Sequence, residues 1–376
     1  MQNLDSIKFP TDYHFIIERI NAIDPIQYEK TRNYLNGHIT YLAPYISRGV
    51  ISVKQILDSI FNKGYSIQQC EKLIQELAWR EYYQRIWQSK NDLIWEDIKH
   101  AQPDVVHHEM ISAIQNSTTG IEVIDKSIED LYEIGYLHNH IRMYLASIVC
   151  NIGKAHWLQP SKWMYYHLLD GDLASNNCSW QWVAGSFSNK KYFCNQGNIN
   201  KYTGSHQTGT FLDISYEDLP HLPIPATLKE TTTLHLKTEL PKTNLPKIDT
   251  NLPTLIYNSY NLDPLWRKDE IVNRVLLLEP SHFNKYPISN QVIQFIVDLS
   301  KNINNIQLYV GEMDDILKLY KVTIQNQNII SKEHPAFTYY PGIKDPRVWM
   351  FPSVIGYHPS FFSFWKKCQV NFNYEL

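Results

Sequence analysis

Asp170-Gly171-Asp172-Leu173-Ala174-Ser175-Asn176-Asn177-Cys178-Ser179-Trp180-Gln181-Trp182 brings two carboxylates, two asparagines and two tryptophans together directly after the helix-like segment Ser161 to Leu169. Asp, Asn and Gly disfavour a helix interior, so the run reads as a turn that aims its polar groups at one point. Trp180 and Trp182 stand at i and i+2 and cannot share one face of a helix, which argues against a simple packing stripe. Carboxylates and amides bind the edge of a heteroaromatic ring, and indoles stack on such a ring or pass electrons to it. The preceding helix is expected to begin after Pro160, with Ser161 as its cap.

Upstream, the apolar positions Ile128, Leu131, Ile134, Leu137, Ile141, Leu145 and Ile148 recur every three or four residues, which predicts a helix pair broken near Gly135. Its second helix carries His138, Asn139, His140 and Arg142. The two histidines at i and i+2 diverge on a helix, so no metal site is expected there. Residues 67–89 read as an amphipathic helix with Ile67, Cys70, Leu73, Ile74, Leu77, Ala78 and Tyr82 on its apolar side. In the run Glu76-Leu77-Ala78-Trp79-Arg80-Glu81-Tyr82-Tyr83, Glu76 and Arg80 taken alone read as a surface pair one turn apart. Further upstream, Phe15, Ile16, Ile17 and Ile20 predict a helix that ends before Asp24-Pro25. Thr40, ahead of Tyr41-Leu42-Ala43-Pro44-Tyr45, is placed to cap another helix.

Together these stretches resemble the photolyase/cryptochrome family. Its flavin-binding signature reads Asp-Gly-Asp-x-Ala-x-Asn-x-x-x-Trp-Gln-Trp, as residues 170–182 do. The 76–83 run is similar to the family's Glu-Leu-x-Trp-Arg-Glu-Phe-Tyr, and 135–143 to Gly-Trp-x-His-Asn-Arg-x-Arg-Met. The resemblance implies FAD as cofactor, held by Tyr28, Thr40, Leu42, Arg80, Asn139, Arg142, Asp170, Asp172 and Asn176. In it Arg142 pairs with Asp170, Arg80 meets the flavin diphosphate, and Asn176 lies near flavin N5. Glu76, Trp79, His140 and Trp182 would line a cavity for damaged bases, while Trp180 and Trp157 would pass electrons to the flavin. Trp87 and Trp95 are candidates for the outer member of that chain. The sequence departs from the family pattern at Ile39 and Ala43, which replace two hydroxyls, at Leu73, which replaces a tryptophan, and at His140, which replaces an arginine.

Beyond residue 220 the pattern changes. From Leu222 to Leu252 a Pro-, Thr- and Lys-rich stretch without periodicity reads as a linker. Leu255-Ile256-Tyr257, Val275 to Leu278 and Ile306 to Val310 read as strands, the last two bridged by a helix through Val292, Phe295, Ile296 and Leu299. The expected fold class is therefore α + α/β. An all-helical FAD-binding domain over 1–220 precedes a linker over 221–253 and an open, mostly parallel sheet domain over 254–376. The last resembles the family's α/β antenna domain, placed second as in a circular permutant. A second antenna chromophore of unknown identity is compatible with it. Trp349, Phe351, Phe361, Phe362 and Trp365 are expected to seal a core.

Composition excludes several classes. No apolar run reaches membrane-spanning length, and the start of the sequence has no basic and hydrophobic leader, so a cytoplasmic protein is expected. Five scattered cysteines without a Cys-x-x-Cys pair argue for thiols over a disulfide framework or a metal cluster. A net charge of −3 announces no global nucleic-acid affinity, although a local basic patch suffices for phosphate contacts. The resemblance implies light-driven splitting of cyclobutane pyrimidine dimers in UV-damaged DNA. Its alternative is a cryptochrome-like blue-light receptor that signals to a protein partner.

Overall fold

The computed structural model describes residues 7–319 and 328–372. Its first part is helical. Asp24 accepts hydrogen bonds from the backbone of Ile26 and Gln27 and Pro25 opens the helix Pro25–Thr31, while Ser52 and Ser66 form capping boxes with Gln55 and Gln69 at the starts of Val53–Asn62 and Ile67–Lys90. The helix Glu122–Ile134 stops at Gly135, whose φ of 70° is left-handed; a Cβ there would lie 2.8 Å from Leu169 Cγ. Asn139–Ala146 follows and runs on into a π turn over Ser147–Ile152, so the expected helix pair is present with its break at Gly135.

Three local expectations are corrected. The run after Asp170 is a turn only as far as Asp172. Leu173–Ala184 is a helix, with Asp172 as its N-cap accepting from Ser175 N. Its polar residues lower helix propensity, but burial supplies them with partners: Asn177 Nδ2 and Gln181 Nε2 both donate to Ile94 O, at 3.3 and 3.2 Å. The preceding helix is Leu158–His167, not a helix from Ser161 to Leu169. Pro160 occupies its first turn, and the Ser161 hydroxyl donates back to Leu158 O instead of capping. Thr40 does not cap Ala43–Ser47 either; the cap position is Leu42, without a side-chain hydrogen bond.

The second part is a five-stranded sheet in the order Ile306–Val310, Asn273–Leu278, Thr254–Tyr257, Ile329–Lys332, Ile343–Asp345, every pair parallel. Its central strands are apolar on both faces, as a covered parallel sheet requires. Leu255, Tyr257, Leu276 and Leu278 belong to a core shared with the helical part, whereas Ile256, Val275, Leu277 and Ile329 pack on the opposite side. The helix Asn290–Ser300 bridges the second and third strands in chain order, as its periodicity predicts. Residues 222–252 are mostly irregular but anchored: Thr231–Thr232 pairs with Met110–Ile111, and Thr243 Oγ1 accepts from Val310 N.

Fully buried Arg48 joins the two parts. Its Nε donates to Leu169 O at 2.9 Å, its backbone carbonyl accepts from Leu262 N at 3.0 Å, and its guanidinium lies over the Tyr260 ring. The residue before the acidic turn is thus held by a side chain that is itself packed against the sheet part. After the last strand the chain returns to the helical part, where Glu81 accepts from Met350 N and Phe351 N and Tyr82 donates to His358 O. Phe351, Phe361 and Trp365 are buried there in the shared core, whereas Phe362 is exposed.

Candidate cofactor and substrate site

A cavity of about 600 Å³ lies where Ile67–Lys90, Asn139–Ala146 and Leu173–Ala184 converge. That is a usual size for a small-molecule site. Glu76, Trp79, Arg80, Asn139, His140, Arg142, Asp170, Asp172, Asn176, Trp180 and Trp182, all singled out in the sequence, line it. Tyr28, Thr40, Leu42 and Trp157 do not; Ala43 and Ser47 face the cavity from the segment of Thr40 and Leu42. Arg32, Asn33, Lys72 and Ser175 also line it, and sequence reasoning gave them no role. The available signal was helical spacing, since Lys72 lies one turn before Glu76.

Two arginine–aspartate pairs organise the walls. Arg142 Nη2 lies 2.9 Å from Asp170 Oδ2, and Arg80 Nη2 lies 3.0 Å from Asp172 Oδ2, which also accepts from Gln84 Nε2 at 2.7 Å. Both aspartates are buried, so these pairs fix charge beside the cavity at fixed positions. Glu76 does not pair with Arg80. Its carboxylate sits between Arg32 Nη1 at 3.0 Å and Lys72 Nζ at 3.3 Å, because Arg80 is drawn across to Asp172. Asn176 Nδ2 donates to Ser161 O, which holds its amide against the helix Leu158–His167.

His140 is pushed down to about 4 by burial and by the Arg32 charge, so it presents a neutral imidazole near neutral pH. Trp157, away from the cavity, is fully buried and donates its indole N–H to Asp97 Oδ1 at 2.7 Å. Trp87 packs edge-on against His334, and Trp95 stacks on Tyr286.

Arg80 Nε, Ser175 Oγ and His140 Nδ1 are buried, belong to cavity-lining residues and have no protein partner. Buried polar atoms of this kind call for a ligand or water. Alongside them Trp180, Met164, Leu168, Ala146 and Val183 supply apolar lining. The walls therefore fit a planar heteroaromatic group with a polar edge.

Such a cavity, enclosed by helices and carrying fixed Arg–Asp pairs beside indoles, defines a cofactor-binding helical domain. Residues 73–222 match the family described as the FAD binding domain of DNA photolyase. This stretch of the helical part is thus similar to the flavin-binding domain of photolyases, and that similarity supports FAD as the cofactor of the cavity. The chain is 26% identical over 200 residues to the deoxyribodipyrimidine photo-lyase of Buchnera aphidicola subsp. Baizongia pistaciae, covering 49% of this chain and 41% of the relative. It is 30% identical over 154 residues to the enzyme of that name from Buchnera aphidicola subsp. Acyrthosiphon pisum, covering 38% and 31%. A solved cryptochrome from Synechocystis sp. aligns at 19% identity with a TM-score of 0.46 over 52% of this chain and 44% of that one. The chain thus spans less than half the length of the relatives it matches.

Among the described residues no helix is long and apolar enough to cross a membrane, and no cluster of His, Cys, Asp and Glu is arranged to hold a metal.

Proposed function

We propose that this protein splits cyclobutane pyrimidine dimers in DNA in a light-driven reaction that uses FAD. The observation that carries this reading is the convergence of Glu76, Trp79, His140 and Trp182 on the same cavity as Asn176, Trp180 and the Arg142–Asp170 and Arg80–Asp172 pairs. FAD held there in its reduced form would supply the light-driven, one-electron chemistry that opens the dimer's ring. Arg142 and Asp170 fix the polar edge of the flavin site, and Asn176 presents an amide to it. Trp79 and Trp182 offer aromatic surface to the extruded dimer, a contact worth about 1–3 kcal/mol per base. Glu76 offers a carboxylate to the base edge, kept in place by Arg32 and Lys72. Arg32 and Lys72 also place positive charge at the cavity, where DNA phosphates would pass.

A repair assay tests the proposal: dimer-containing oligonucleotide is illuminated with the reduced protein and the remaining dimer is counted. Light-dependent loss of dimer is expected, and none in the dark. Absence of loss under light rejects the reading. The second reading, a cryptochrome-like light receptor, is favoured by the departures from the family pattern at Ile39, Ala43, Leu73 and His140. Flavin photoreduction without any preference for dimer-containing DNA would select it.

A further inference from the structure

Trp79 is stacked by a residue far outside the matched family segment. The Phe361 ring lies 3.7 Å from it, centroid to centroid, with 10° between the planes. Phe361 opens the helix Phe361–Val370, whose cap Ser360 accepts from Ser363 N, and it is almost wholly buried while its neighbour Phe362 is 71% exposed. Trp365, one turn on, stacks behind Phe361 at 6.1 Å and 14°. Trp79 is therefore the cavity-side end of a three-ring column whose other members come from the end of the chain.

The column is anchored on both sides. Tyr82 packs edge-on against Trp79 and Phe361, and its hydroxyl donates to His358 O at 3.2 Å. Gln369 Nε2 donates to Glu71 Oε1. A parallel ring at 3.7 Å fixes the indole plane more tightly than the tilted Tyr83 contact at 5.5 Å.

We propose that Phe361 is a positioning residue that sets the plane of Trp79 for stacking on a base of the dimer. The C-terminal helix thereby completes the substrate side of a site whose cofactor side is built entirely from the helical part. This inference rests on the repair reading given above. Phe361 does not line the cavity, so its effect falls on substrate through Trp79 and spares flavin.

The test compares Phe361→Leu, which keeps apolar bulk without a ring, with Phe361→Tyr, which keeps the ring. The full-length protein is loaded with FAD and labelled with fluorotryptophan, the Trp79 fluorine resonance being assigned with Trp79→Phe. Phe361→Leu is expected to move that resonance, to retain flavin, and to weaken binding of dimer-containing over undamaged oligonucleotide about three- to tenfold. Phe361→Tyr is expected to restore both resonance and affinity. In a Trp79→Ala background, Phe361→Leu should add no further loss. An unmoved resonance, an equal loss for Tyr and Leu, or a full additional loss in the Trp79→Ala background overturns the proposal. A parent protein with no preference for dimers overturns the repair reading instead, because the resonance reports the setting of Trp79 without any DNA.

Discussion

One guanidinium nitrogen of Arg142 stands 3.0 and 2.9 Å from the two carboxylate oxygens of Asp170, while its Nε donates to Leu137 O at 3.0 Å. The arginine is held on two sides, so removing the carboxylate leaves a charge in place instead of letting it swing to water. A fully buried pair broken in this way costs roughly 3–5 kcal/mol, and partial exposure of Arg142 reduces this to about 1–3 kcal/mol. Asp170→Ala is expected to lower the unfolding free energy by that amount and to yield protein with less bound flavin. Urea titration and the ratio of visible to ultraviolet absorbance measure the two effects; a variant matching the parent in both would remove the pair from the cofactor site.

Two buried histidines predict a loss of stability in mild acid. Burial pushes His138 down to about 3, helped by neighbouring His140 and opposed by its bond to Arg32 O. Burial also brings His282 to about 3, with Arg48 and Lys285 adding to it. In the unfolded chain each titrates near about 6.5, so between that value and the folded one the unfolded state binds more protons and stability falls as pH is lowered. At pH about 5 each histidine costs on the order of 2 kcal/mol relative to neutral pH. Urea midpoints at the two pH values should show the drop, and His282→Gln should shrink it. A midpoint that rises on acidification would contradict this assignment.

The strands were legible as short continuous apolar runs, because a sheet covered on both faces buries successive residues, and Ile67–Lys90 by its i, i+3, i+4 spacing. The helix Leu173–Ala184 was not, because it is enclosed on several sides and its polar residues find partners there, Asn177 and Gln181 in Ile94 O and Asn176 in Ser161 O, so neither apolar period nor propensity marks it. The cavity residues were found through motif resemblance. Arg32 and Lys72 escaped because a cation's role at a site depends on what folds opposite it, here Glu76. The stack of Phe361 on Trp79 joins residues too far apart for any local pattern to reveal.

Trp157 is held by more than packing. Its indole donates to Asp97, whose carboxyl burial pushes up but hydrogen bonds from His156, Gln102 N and Trp157 bring down to about 2. Trp157→Phe removes one donor to a carboxylate and should cost about 1–3 kcal/mol while leaving flavin bound, since Trp157 does not line the cavity. If Trp157 also relays electrons, blue-light bleaching of oxidised flavin in the presence of a thiol should slow severalfold. Unchanged bleaching in a folded, flavin-loaded variant would confine Trp157 to a structural role.

Glu81 governs how the end of the chain docks. Its buried carboxylate receives Met350 N at 2.7 Å and Phe351 N at 3.1 Å. Arg85 and Arg347 both stack on Trp349, at 3.6 and 4.4 Å, and Arg347 Nη1 donates to Gln84 Oε1. Glu81→Ala would leave two backbone N–H groups without their acceptor and remove a carboxylate charge near Arg85, a loss of about 2–4 kcal/mol. Because Gln84 also donates to Asp172, the disturbance should reach the Arg80 pair as well. Limited proteolysis should then cut preferentially within residues 346–360, faster than in the parent, and flavin retention should fall. A variant cut no faster than the parent would show that the aromatic contacts alone hold the C-terminal segment.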